Sequence, residues 1–82
     1  CWGGTWARPG LTFPQRSILN LGMLAALGRM HEFEIHFNGA INNGLTLDEL
    51  KEVLLQIGVY CGVPAAVECF RIARRVLEER GL

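Results

Sequence analysis

Arg29, His31, Glu32, Glu34 and His36 bring two bases, two acids and a guanidinium into one short stretch of this 82-residue chain. Wound as a helix at about 100° per residue, the stretch places Arg29, Glu32, His36 and Asn43 on one narrow stripe. That stripe borders an apolar face made of Met30, Phe33, Phe37 and Ile41. Glu32 and His36, four positions apart, can touch. A carboxylate beside an imidazole at a half-buried edge favours the charged imidazole and raises its pKa, which suits a proton donor near neutral pH. The same pair also reads as an ordinary contact on a helix surface. His31-Glu32 followed by His36 is not a zinc-protease motif, because that motif needs its histidines four apart on one face. Here they are five apart, roughly 140° round the helix, so no metal is expected. Two histidines facing different ways can still serve one site if a second subunit supplies one of them.

Other reactive side chains are scattered. Arg8 follows Trp6 closely, and an arginine next to a large aromatic ring can form an anion site with an apolar wall, or simply hold its segment down. Tyr60 and Cys61 stand just before Gly62, where they are either core residues or the lining of a pocket. Cys1, Cys61 and Cys69 are an odd count with no CxxC pair, so neither a disulfide framework nor a zinc knuckle is written here. Free buried thiols in a reducing cytoplasm are the expectation. No glycine-rich phosphate loop, nucleophile elbow or Ser-His-Asp arrangement is present.

The elements that hold these residues follow from composition and punctuation. The length makes one domain. Eight basic and eight acidic residues give no net charge, which argues against nucleic acid or an anionic membrane as partner. Half of the residues are hydrophobic, too many for disorder and more than so small a body can hide alone, so an oligomer is expected. The most apolar run, Ile18 to Leu27, is interrupted by Asn20 and is far shorter than the ~20 residues that span a bilayer. Starting at Cys1, the chain is expected to lack an N-terminal piece. Residues 1–11, with both tryptophans and the Arg8-Pro9-Gly10 turn, read as an ordered arm or the end of a missing helix. Residues 12–82 read as an all-α core of four main helices.

The first of these opens at the capping box Thr12 to Gln15, with Pro14 in its first turn, and stops at Gly28. A second runs from about Arg29 to Asn42 and ends at Asn43-Gly44. A third opens at the box Thr46 to Glu49 and closes at Gly62, and a fourth runs from Pro64 to about Arg80, before Gly81. The first is apolar nearly all round from Ile18 to Leu27 and must be covered on every side, which again calls for subunit contacts. Leu47, Leu50, Leu54 and Ile57 are the expected inner stripe of the third, with Leu55 and Val59 pointing elsewhere. In the fourth, Ala66, Cys69, Phe70, Ala73, Val76 and Leu77 are the expected apolar stripe. Arg74 with Glu78 and Arg75 with Glu79 pair on its solvated side.

Taken together, Trp6-Ala7-Arg8-Pro9-Gly10-Leu11, Leu27-Gly28-Arg29, His31-Glu32 with His36, Asn42-Asn43-Gly44-Leu45-Thr46 and Tyr60-Cys61-Gly62-Val63-Pro64-Ala65-Ala66 resemble the γ-carboxymuconolactone decarboxylase family, in order and spacing, from Trp6 to the C-terminus. The resemblance implies an AhpD-like helical domain over residues 1–82, a ring-shaped homohexamer, and a cofactor-free cytoplasmic lyase of bacterial aromatic (protocatechuate) catabolism. It would convert 4-carboxymuconolactone to 3-oxoadipate enol-lactone and carbon dioxide in the β-ketoadipate pathway. In such a site His36, set by Glu32, is the candidate acid, and His31 a partner for the enolate from a neighbouring subunit. Arg8 and Arg29 are candidates for the substrate carboxylates, while Trp6 and Tyr60 wall the pocket. Members usually carry a further segment ahead of the arm, and Met30 stands where close relatives often have an acidic residue. Peroxidases and disulfide reductases of the wider superfamily use a CxxC pair that would fall at Arg29 and Glu32. Without those sulfurs a thiol peroxidase would have to rely on Cys61. A non-catalytic oligomeric module is the third alternative.

Overall fold

The computed structural model describes residues 2–82, Trp2 by its backbone alone; the free thiol expected at Cys1 lies outside the described residues. Five helices follow one another: α1 (Trp2–Trp6), α2 (Phe13–Leu27), α3 (Met30–Asn42), α4 (Leu47–Cys61) and α5 (Val63–Arg80). No strand occurs among the described residues, and none of their helices is long and apolar enough to cross a membrane. Both capping boxes form. Thr12 Oγ1 accepts the Gln15 amide proton while Gln15 Oε1 accepts that of Thr12, and Thr46 and Glu49 repeat the exchange at α4. Gly28 and Gly81 end α2 and α5 in the left-handed region, at φ 72° and 75°, which lets the next amide turn back onto the last helical carbonyls.

α4 and α5 are joined by a single residue. Gly62, at φ 94°, ends one helix and begins the other, a conformation that an L side chain rarely adopts. Just before this elbow the helices run close, since a Cβ added at Gly58 would lie 3.3 Å from that of Ala66. α2 packs on α3 and α4, and α5 on α3 and α4. Their common core holds Leu21 and Ala25 of α2, Phe33, Phe37 and Ala40 of α3, Leu50, Leu54 and Ile57 of α4, and Cys69, Ile72, Ala73 and Val76 of α5. The Phe33 and Phe37 rings stack with centroids 6.1 Å apart at its centre.

Of the two readings of the arm, the helical one is seen: Trp2–Trp6 form a helical turn despite Gly3 and Gly4, which have low helix propensity. Three details differ from the pattern expected of the sequence. The α5 stripe is Cys69, Ile72, Ala73 and Val76, so Ile72 is core, whereas Phe70, one residue round from Cys69, is 42% exposed. Leu47 sits in the first turn of α4, before the helix reaches the core, and is about half exposed. Arg74 does pair with Glu78, at 3.0 Å. Arg75, however, pairs with Glu34 across the α3–α5 contact and not with Glu79, because the crossing brings a carboxylate of another helix to it. Nearby, Arg80 clamps the ends of the same two helices together, donating to Asn38 Oδ1 at 2.8 Å, the Asn38 carbonyl at 3.2 Å and Asn42 Oδ1 at 3.1 Å.

Candidate active site

α3 is amphipathic in an unusual way, with a polar strip running beside its core face. Glu32, Ile35, His36, Gly39 and Asn43 follow one another at helical spacing and form one wall of a cleft of about 430 Å³. Ser17 of α2 and Trp6 of α1 complete it. That volume falls within the range of small-molecule sites. Trp6 is held there by an edge-on contact with Phe13, with ring centroids 5.8 Å apart, and the turn after α1 is tied down by Arg16, whose Nη2 donates to the Arg8 carbonyl at 3.1 Å.

The cleft therefore unites four of the residues singled out in the sequence: Trp6, Glu32, His36 and Asn43. The other four stand elsewhere on the single chain. His31 opens onto a separate depression with Met30, Glu34, Glu68, Arg71, Ile72 and Arg75, a patch whose charges are matched by the Arg71–Glu68 and Arg75–Glu34 pairs. Tyr60 is 80% exposed at the end of α4, beside Leu27 and Gly28. Arg8 and Arg29 are both exposed, the first in the turn after α1 and the second immediately before α3.

Sequence reasoning missed Ser17 and Gly39. Ser17 is only 2% exposed, and its Oγ accepts a hydrogen bond from Asn43 Nδ2 at 3.0 Å. The signal was present: Ser17, Leu21 and Ala25 repeat every four residues on the buried stripe of α2, and a hydroxyl on such a stripe requires a partner. Gly39 faces open space, with no atom within 4 Å of an added Cβ, so the middle of the α3 wall is bare.

Neither thiol of the described cysteines lines this cleft. Burial, and then the neighbouring Cys61, push the Cys69 thiol up to about 11, which keeps it protonated and a poor nucleophile at neutral pH. Among the described residues no group of three His, Cys, Asp or Glu side chains is arranged to hold a metal ion.

Comparison with known proteins places these features in context. Residues 1–75 match the family described as the carboxymuconolactone decarboxylase family. The chain is 41% identical over 81 residues to the 4-carboxymuconolactone decarboxylase of Acinetobacter baylyi, covering 99% of this chain and 60% of that protein. It is 40% identical over 78 residues to a nitrosuccinic acid decarboxylase of Metarhizium robertsii, covering 95% of this chain and 54% of the relative. An uncharacterized 15.0 kDa protein of Paracoccus denitrificans is 29% identical over 80 residues, again with 60% of its length covered. The chain thus spans little more than half the length of the relatives it matches.

Proposed function

Because this chain belongs to the carboxymuconolactone decarboxylase family, we propose that it is a cofactor-free decarboxylase of small carboxylated lactones, acting on 4-carboxymuconolactone to give 3-oxoadipate enol-lactone and carbon dioxide. The observation that carries this reading is the cleft that joins Glu32 and His36 under Trp6, in a chain 41% identical to a protein named for that reaction.

Loss of carbon dioxide leaves an electron pair that needs a sink. In the lactone the pair flows through the conjugated ring onto the carbonyl oxygen, and carbon is then protonated. In nitrosuccinic acid, the substrate named for the second relative, carbon dioxide can leave the carbon that bears the nitro group, whose oxygens take the pair. Both substrates carry their own sink, so the protein needs to orient carboxylates, stabilise a delocalised anion and deliver a proton. His36 is the proton donor in this scheme, and Glu32 lies one helical turn away on the same wall of the cleft. Trp6 restricts water over the developing carbanion.

Arg8, Arg29, His31 and Tyr60 join the reaction in this proposal only where a second copy brings them to a cleft, as in the ring-shaped hexamer expected of the family. Two features favour association. The chain exposes 5403 Å², against roughly 4,900 Å² for a compact monomer of its mass. Val59, Tyr60, Val63 and Val67, all more than half exposed, form an apolar ridge over the α4–α5 elbow. The free thiols Cys61 and Cys69 suit a reducing compartment such as the bacterial cytoplasm. Disappearance of the lactone with stoichiometric carbon dioxide tests the activity. Consumption of a hydroperoxide that depends on Cys61, with no lactone turnover, would overturn it.

A further inference from the structure

Buried Ser17 and half-buried Asn43 form a polar pair at the end of the cleft away from Glu32, and neither is needed for the proton transfer just described. A serine hydroxyl inside a helix can direct its own proton to a carbonyl one turn back, leaving the oxygen as an acceptor. Here that oxygen accepts one proton of the Asn43 amide at 3.0 Å. The contact fixes how the amide is turned. Among the described residues Asn43 makes no other side-chain hydrogen bond, so its second N–H is uncommitted, and Asn43 lines the cleft.

His36 and Asn43 are seven positions apart, two turns or about 10 Å along the axis of α3. Gly39 lies between them with open space above it. A proton donor therefore sits at one place and an oriented amide donor at another, with a bare strip between. Among the described residues of the single chain no lysine or arginine lines this cleft, while Glu32 adds negative charge, so within one chain an anionic substrate depends on neutral donors for its second anchor. A carboxylate held by a fixed amide N–H gains a charge-assisted hydrogen bond.

We propose that Asn43 binds the carboxylate that the substrate retains after decarboxylation, and that Ser17 is the positioning residue that aims its amide. The inference rests on the decarboxylase reading and deepens it by naming the substrate class: acids with a second carboxylate placed away from the carbon that is protonated. Because this carboxylate is unchanged in the reaction, its anchor acts equally on ground and transition states and governs KM more than kcat.

Kinetics of Ser17→Ala, Asn43→Asp and Asn43→Ala, with titration of succinate as an unreactive dicarboxylate probe, test this. Asn43→Asp can still meet Ser17, now as acceptor of the hydroxyl proton, but sets a like charge against the carboxylate. KM should rise roughly 10- to 100-fold for the Asn43 variants and less for Ser17→Ala, with kcat nearly unchanged. In the Asn43→Ala background, Ser17→Ala should raise KM no further, although it can still lower the melting temperature. A second rise in KM there, or a folded Asn43→Asp variant with wild-type KM and wild-type succinate affinity, overturns the proposal while leaving decarboxylation intact. If the wild type fails to turn over the lactone but binds succinate through Asn43, the decarboxylase reading fails and the carboxylate site stands.

Discussion

Gly39→Ala separates folding from function, because the two should move in opposite directions. The glycine lies in the last turns of α3, and a Cβ there meets no atom within 4 Å. Replacing glycine by alanine at a helical position without strain stabilises by roughly 0.5–1 kcal/mol, through helix propensity and a less flexible unfolded chain. For a domain of this size that raises the melting temperature by about 2–8 °C. The same methyl group enters the cleft of about 430 Å³ midway between His36 and Asn43. Overpacking a fitted site costs about 1–3 kcal/mol, which corresponds to a loss in kcat/KM of roughly 5- to 150-fold. Thermal melts by circular dichroism, at one fixed protein concentration because subunit association also shifts them, are set beside steady-state lactone decarboxylation. A higher melting temperature with unchanged kcat/KM would show that substrate does not lie over Gly39. A lower one would mean that another copy of the chain fills the space above it.

His36→Gln should retain helicity and oligomer size while losing about 10²- to 10⁴-fold in turnover, if His36 supplies the proton; wild-type turnover with the same pH profile would transfer the role to His31. Cys69 should make stability pH-dependent only in alkali. Its folded pKa lies above the unfolded value, so its contribution is intact below about 9 and is lost as pH rises towards about 11. Denaturant melts across that window should fall more steeply for the wild type than for Cys69→Ala, and parallel curves would refute the assignment. Light scattering at micromolar concentration should find an oligomer, with a hexamer as the expected size, and a stable monomer would remove the neighbouring copy from the site.

Much of the fold was legible because helix ends are local chemistry. Thr12 with Gln15 and Thr46 with Glu49 lie three residues apart, and Gly28 and Gly81 stop their helices by backbone geometry that neighbours cannot supply. The Glu32–His36 strip was legible for the same reason, being set by the pitch of one helix. What could not be read depends on how helices cross. Ser17 and Asn43 are 26 residues apart, and Arg75 and Glu34 are 41 apart. No periodicity within α2 or α5 names those partners. The choice of Ile72 over Phe70 was a matter of a small rotation of α5 about its axis, decided by what α3 and α4 present to it. α1 was legible only as one of two readings of the arm, because its two glycines weaken a helix there.

The order of elements along the chain has a consequence for synthesis. Every cleft residue lies between Trp6 and Asn43, whereas the helices that back the cleft come afterwards. At roughly 5–20 residues per second, translating residues 44–82 takes about 2–8 s. Throughout that interval Phe33 and Phe37 lack Cys69, Ile72, Ala73 and Val76, the residues that α5 adds to their core. The residues of the cleft are thus made before the α5 side chains that complete the core behind them.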